Sequence, residues 1–234
     1  MTSNIIPLGQ AQHGDLKLRQ LTNFSHVKNE HVIPVVVHEF IQASSEYPVV
    51  FVKNSDNGQF IPVVMLGLKP GENLFAGEDG WRGLYIPTRV RTHPFHLMRN
   101  PHDHDQLMMA IDENATVVGK EEGDALFNDD GTESAYLERR KKQLTDYFES
   151  GQLTEAFTAL MAELDLLVPR SLSLEIRGES ISLDGVYFID EAKLNALSDD
   201  VFSDLRKRGF LPLVYAQMMS VHQVQRLASI KAKL

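Results

Sequence analysis

No cysteine occurs among the 234 residues. That absence constrains the fold more than any other feature. No disulfide, cysteine-bound zinc or iron–sulfur cluster can staple the chain, so stability has to come from apolar burial. The material is there, with 43% hydrophobic residues against 15 glycines and 10 prolines. The hydrophobic share is too high for intrinsic disorder, and Gly and Pro are too few for a fibrous chain. A chain of this length buries roughly 70% of its unfolded surface, enough for a core without metal. The same absence limits the chemistry. Any metal must be held by His, Asp or Glu, and any nucleophile must be oxygen or nitrogen.

Asp and Glu number 32 against 23 Lys and Arg, a formal net charge of −9. This argues against a nucleic-acid-binding surface. The start, MTSNIIPLGQAQHGDLKLRQ, lacks the basic and apolar regions of a secretory signal. Apolar runs such as Val32–Val37 fall far short of the ~20 residues that cross a bilayer. The expectation is a cytoplasmic protein with no membrane span.

Periodicity predicts a helix over 35–46, with Pro34 at its first turn and Tyr47-Pro48 ending it. Strands at 49–53 and 59–66 flank Asn54-Ser55-Asp56-Asn57-Gly58 and predict a hairpin, with Pro62 marking an edge or a bulge. A further strand is expected at 107–112, then a loop-rich stretch at 114–133. Beyond it, helices are expected over 135–148 and 154–167, separated at Ser150-Gly151 with Gly151 as a C-cap. Strands at 172–176 and 181–188 read as a pair. Helices follow over 190–197, 199–208 and from Gln217, with a strand at 211–215. Regular strand–helix alternation is missing, so the fold class is α+β: a mixed, mainly antiparallel sheet with helices concentrated in the C-terminal half. One domain over 1–234 is expected, with a subdomain boundary near 115–133.

The stretch GENLFAGEDGWRGLYIPTRVR holds the only tryptophan and three arginines between glycines. Aromatic faces beside guanidinium groups suit a peptide or a small anionic ligand. The candidate ligand-binding set is Asn73, Trp81, Tyr85, Arg89 and Arg91. The competing reading packs Trp81 and Tyr85 in the core and leaves the arginines solvated. His93, His96, His102 and His104 lie within twelve residues, beside Asp103 and Asp105, and form an alternative metal-ligating set. Spacing dictates no third ligand, so a polar surface loop competes with it. His13-Gly14-Asp15 matches half of a two-histidine, one-carboxylate iron triad, with His222 as the distant histidine. An exposed N-terminal turn is its plain alternative. Asp112-Glu113 and Asp190-Glu191 follow apparent strands, where a carboxylate acts as a general base or caps the next helix. Arg139-Arg140-Lys141-Lys142 reads as a solvated helix face. No phosphate loop, dinucleotide fingerprint, nucleophile elbow or His-Glu-x-x-His occurs, and no motif names a cofactor.

Several segments in order resemble the SapC-like family of bacterial proteins. They are Glu46-Tyr47-Pro48-Val49-Val50-Phe51, Leu66-Gly67-Leu68 with Gly71-Glu72-Asn73-Leu74-Phe75, and Trp81 with Tyr85-Ile86-Pro87. Arg91 with Pro94-Phe95, Ile111-Asp112-Glu113, Gly123 to Phe127, and Gly185-Val186-Tyr187-Phe188-Ile189-Asp190-Glu191 continue the series. The resemblance implies a family named for a surface layer, mostly without assigned biochemistry. It further implies a helper or binding role beside halogenase-like enzymes or outer-membrane uptake systems, with a protein partner. The family pattern keeps Arg91 and Pro94-Phe95 but does not demand the histidines. Three roles follow. The first is a non-enzymatic binding or accessory protein. The second is a metal-dependent enzyme on the histidine-rich segment, and the third a surface-layer-associated structural protein.

Overall fold

A computed structural model describes residues 3–77, 79–100 and 103–234, and only the backbone of His104 and Asp105. All strand pairings among these residues are antiparallel, and the larger helices lie in the second half of the chain, giving an α+β fold. The chain divides into two compact units. One takes the residues up to Thr22 and Val90–Glu149, the other Asn23–Arg89 and Ser150–Leu234. The stretch 115–133 lies inside the first.

In the first unit the strand Asp103–Asp112 is central. It pairs with Ile5–Pro7 on one edge and Phe95–Asn100 on the other. Leu18, Phe95, Met109, Ile111, Leu126, Leu137 and Leu144 form the core of this unit. Asp112 closes the central strand. Its carboxylate accepts from the Ser3 hydroxyl (2.7 Å), the Asn4 amide (2.8 Å) and the Asn114 amide (3.1 Å). Partial burial alone would raise the Asp112 pKa, but these donors, with the charge of His93, hold it below the usual carboxylate range. The carboxylate is spent on tying down the start of the chain. It caps none of the described helices.

The second unit is built on a five-stranded sheet. Its order is Leu167–Pro169, Val186–Ile189, Val49–Lys53, Phe60–Met65, Val32–Pro34. Val49, Val50 and Phe51 of the middle strand are fully buried, as a strand covered on both faces must be. Phe157 meets the rings of Phe40 (5.8 Å), Phe51 (6.4 Å) and Phe210 (5.2 Å). The predicted hairpin is present as Val49–Lys53 and Phe60–Met65. Pro62 sits on an inner strand, neither at an edge nor at a bulge. It lies one residue past the last pair with Val32–Pro34, and its carbonyl accepts from Val35 (3.1 Å).

Four element expectations fail for identifiable reasons. The helix at 35–46 shrinks to a 3-10 turn, Val37–Glu39, followed by Phe40–Ala43. The N–H of Val35 is taken by the sheet and that of Val37 by the Thr154 hydroxyl (3.0 Å), so the helix starts late. The strand expected at 181–188 breaks at Asp184-Gly185. Glu179–Leu183 pairs with Leu172–Ile176, and Val186–Ile189 joins the large sheet. The strand expected at 211–215 is part of a helix, Leu211–Ser220, with proline in its first turn. Its buried Gln217 and Ser220 clamp the sheet: Gln217 donates to the Val49 carbonyl (3.0 Å) and accepts from Ile189 (3.2 Å), and Ser220 accepts from Val49 (2.9 Å).

The fourth correction concerns Gly151. The helices expected at 135–148 and 154–167 are one helix, Ala135–Glu163, running through Ser150-Gly151. Gly151 is not among the left-handed glycines, and a Cβ there would meet nothing within 4 Å. Gly151→Ala therefore stabilises the protein by about 1 kcal/mol, since mid-helix glycine pays backbone entropy that alanine does not. Thermal unfolding checks it. A left-handed C-cap would give the opposite sign.

Candidate functional site

Residues 72–77 and 79–87 are irregular apart from a two-stranded ribbon, Ala76–Gly77 with Gly80–Trp81, and lead into the short helix Thr88–Arg91. Such a stretch has few backbone partners of its own, so its polar groups must be satisfied by something else. Two buried acids that flank the short helix Phe40–Ala43 do this, Glu39 at the end of the 3-10 turn before it and Glu46 in the turn after it. Glu39 and Glu46 are each only 4% exposed. Glu46 Oε1 accepts from the Leu84 amide (2.7 Å) and the Tyr85 amide (2.8 Å), and Oε2 accepts from Leu84 (2.9 Å). Glu39 Oε1 accepts from the Tyr85 hydroxyl (2.6 Å) and the Thr88 amide (2.7 Å), and Oε2 from Val36 (3.1 Å). Arg226 places a guanidinium nitrogen 3.4 Å from Glu46 Oε2, above the ring of Phe75.

Tyr47 and Trp81 complete the clamp. The Tyr47 hydroxyl donates to the Tyr85 carbonyl and accepts from Trp81 Nε1 (2.9 Å), which also reaches that carbonyl (3.1 Å). Burial, and secondarily the Glu46 carboxylate, push the Tyr47 phenol above its ordinary pKa despite the Trp81 hydrogen bond, so it stays a donor. Trp81 packs edge-on against Phe24 (5.3 Å) and beside Phe75 (6.0 Å). Gly83 sits at the point of closest approach. A Cβ there would lie 2.5 Å from Glu46 Oε2 and 2.6 Å from the Tyr47 hydroxyl.

Beyond the clamp lies an open, mostly polar depression of about 420 Å³ lined by Gly77, Asp79, Gly80, Trp81 and Arg82. Arg82 is exposed, and one guanidinium nitrogen donates to the Leu74 carbonyl (3.1 Å). Of the residues singled out from the sequence, Trp81 lines this depression and Tyr85 is a member of the clamp. Asn73 accepts from the amides of Phe75 (2.9 Å) and Ala76 (3.1 Å) and donates to the Val27 carbonyl (3.0 Å), shaping the loop. Arg89 is exposed and closes the segment Asn23–Arg89 of the second unit, and Arg91 belongs to the first. Sequence reasoning missed Glu39, Glu46 and Tyr47 as site residues, and it noted Arg226 only as the residue one helical turn after His222. The available signal was an acid set inside each of two apolar stretches, VVVHEF and SSEYPVVF, where an unpaired charge is not tolerated.

The histidine-rich segment folds as the hairpin Phe95–Asn100 and Asp103–Asp112, with His96 on a strand opposite Ala110. His102 and the side chain of His104 lie outside the described residues, and among the described residues no group of three or more His, Asp or Glu converges on a metal position. His13 is fully buried, not an exposed turn residue. Its Nδ1 accepts from Gly9 (3.0 Å), and its Nε2 lies 3.2 Å from Glu113. Asp15 pairs with Lys120 (2.6 Å). Asp190 is an N-cap, accepting from the Lys193 amide (3.0 Å). None of the described helices is long and apolar enough to cross a membrane.

The SapC family model matches residues 8–227, nearly the whole chain. No curated protein and no solved structure matches it.

Proposed function

We propose, for a chain that belongs to the SapC family, a non-enzymatic binding role in which the depression beside Trp81 receives a peptide segment. The observation that supports it is the clamp. Glu39 and Glu46 are occupied by backbone amides, the Tyr85 hydroxyl and Arg226. Acids so engaged are poor proton acceptors for chemistry, but they fix a loop in place before a ligand arrives. Pre-organisation of this kind lowers the ordering cost of binding.

The lining chooses the ligand class. Arg82 and Asp79 offer charges of opposite sign, Trp81 offers an aromatic surface, and the glycines of the ribbon expose backbone. A peptide supplies matching carboxylate, amide and apolar groups. A small anion would meet Asp79 as well as Arg82. Within this reading Asn73 and Tyr85 shape the site, and Arg89 is a candidate contact outside its lining. Arg91 is a separate candidate contact, tested by Arg91→Ala.

The test is a random 12-residue peptide display library selected on the full chain, with enriched peptides synthesised and titrated. Trp81 is the only tryptophan, so its emission reports the site directly. Saturable emission changes, weakened about tenfold by Arg82→Ala, support the reading. It is overturned if no peptide enriches, or if binders leave Trp81 emission unchanged and ignore Arg82→Ala.

A further inference from the structure

We infer that the helix Val224–Lys231 controls this site, with Arg226 and Lys231 as positioning residues that hold the Trp81 loop near both of its ends; this rests on the peptide-binding reading above for the ligand, not for the hold itself. Arg226 lies 3.4 Å from Glu46, the carboxylate that accepts from the amides of Leu84 and Tyr85. Lys231 is bonded to Glu72, at the opposite end of the loop. Glu72 also accepts from the Leu68 amide through its second oxygen (3.1 Å). The residues that line the depression, Gly77 to Arg82, fall between these two tethers in the chain.

Burial singles the two pairs out. The side chain of Glu46 is 5% exposed and that of Glu72 12%. In the other ion pairs among the described residues the carboxylate is at least 21% exposed. Water and salt screen those exposed pairs, and they screen these two least. Both of the buried pairs take their cation from one helix and end on one loop. The helix has a fixed base, because Leu227, between the two cations, is fully buried and Val224 is buried beside them. Arg226 also lies over the ring of Phe75 (5.8 Å). Phe75 in turn meets Tyr47 edge-on (4.7 Å) and stacks beside Trp81 (6.0 Å). A change at Arg226 is therefore one ring away from the tryptophan of the site.

Neutralising either cation leaves a mostly buried carboxylate without its counter-charge. That carboxylate regains water by drawing the loop away from the helix. The loop then divides its time between a held and a loosened form, and a ligand that fits the held form binds more weakly in proportion. The helix thus acts on the depression through Glu46, Phe75 and Glu72.

The experiment reads Trp81 directly, by acrylamide quenching of the unliganded chain well below its melting temperature. Arg226→Gln and Lys231→Gln each raise the quenching constant about twofold, as expected of a loop that opens locally. Arg226→Lys, which keeps the charge, recovers most of the change. Lys120→Gln breaks the exposed pair with Asp15 in the other unit and leaves quenching as in wild type. Any peptide enriched in the selection above binds Arg226→Gln and Lys231→Gln about tenfold more weakly, because the loop then has to be ordered on binding. A merely structural role lowers the melting temperature of these variants and leaves native-state quenching alone. Unchanged quenching in both glutamine variants overturns the inference whether or not a peptide has been found. A change in only one of them overturns the two-ended hold, and Arg226→Lys no better than Arg226→Gln overturns its ionic basis. Peptides that bind both glutamine variants as tightly as wild type overturn the control of the site. Raised quenching in both variants with no peptide enriched supports the hold of the helix on the loop and removes the peptide-binding reading alone.

Discussion

Replacing Glu46 with alanine lowers the melting temperature by roughly 10 °C and shifts the emission of Trp81. The substitution removes the acceptor for the amides of both Leu84 and Tyr85 and leaves Arg226 without its nearby carboxylate. Each of these part-buried amides, stripped of its partner, costs about 1–3 kcal/mol. The loss is therefore about 3–4 kcal/mol, and for a chain of this size each kcal/mol is worth roughly 2–4 °C. Glu46→Gln separates shape from charge. One oxygen remains to accept from the loop, while the new amide nitrogen faces Arg226, a donor against a donor, so its loss falls between wild type and alanine. Calorimetry with Trp81 fluorescence measures both. Wild-type melting and emission in Glu46→Ala would mean that the loop is held by something other than this carboxylate.

Phe157→Ala is the second large effect, about 3–5 kcal/mol. Phe157 is fully buried, and its ring meets Phe40, Phe51 and Phe210, which come from the short helix, the middle strand and the start of the helix Leu211–Ser220. Truncation leaves a cavity bordered by three rings that cannot collapse without moving three elements. Phe157→Leu fills most of that volume and recovers most of the loss. Chemical denaturation distinguishes the two. Equal stability of Phe157→Ala and Phe157→Leu would show that the rings close up after truncation.

The two substitutions mark the boundary of what was legible beforehand. The hairpin at 49–65 was visible because its signals are local: two apolar runs around an Asn/Asp/Gly-rich turn. Asp190 as a cap was visible for the same reason. The break at Gly151 misled because glycine reads as a stop, whereas Phe157 and Met161 are buried on the far side of it and tertiary packing repays its propensity cost. The strand at 211–215 misled because an apolar run carries no period. Its helix is fixed by Gln217 and Ser220 reaching Val49, more than 160 residues earlier in the chain.

The candidate site divides the same way. Trp81, Tyr85 and the arginines drew notice by residue type alone. Glu39 and Glu46 did not, because an acid in an apolar stretch shows its meaning only when its donors are in place, and those donors include backbone amides 38 and 49 residues further on.

The sequence alone therefore determined the class of the molecule. Without cysteine it had to be stabilised by its core, its irregular mix of strands and helices read as α+β, and the ordered motifs resembled its family, because composition and local pattern need no partner to be read. Only the tertiary structure decided that the loop around Trp81 is clamped and that Arg226 and Lys231 reach the acids that hold it. Both facts depend on which distant groups satisfy a buried charge, and no local stretch of sequence contains that information.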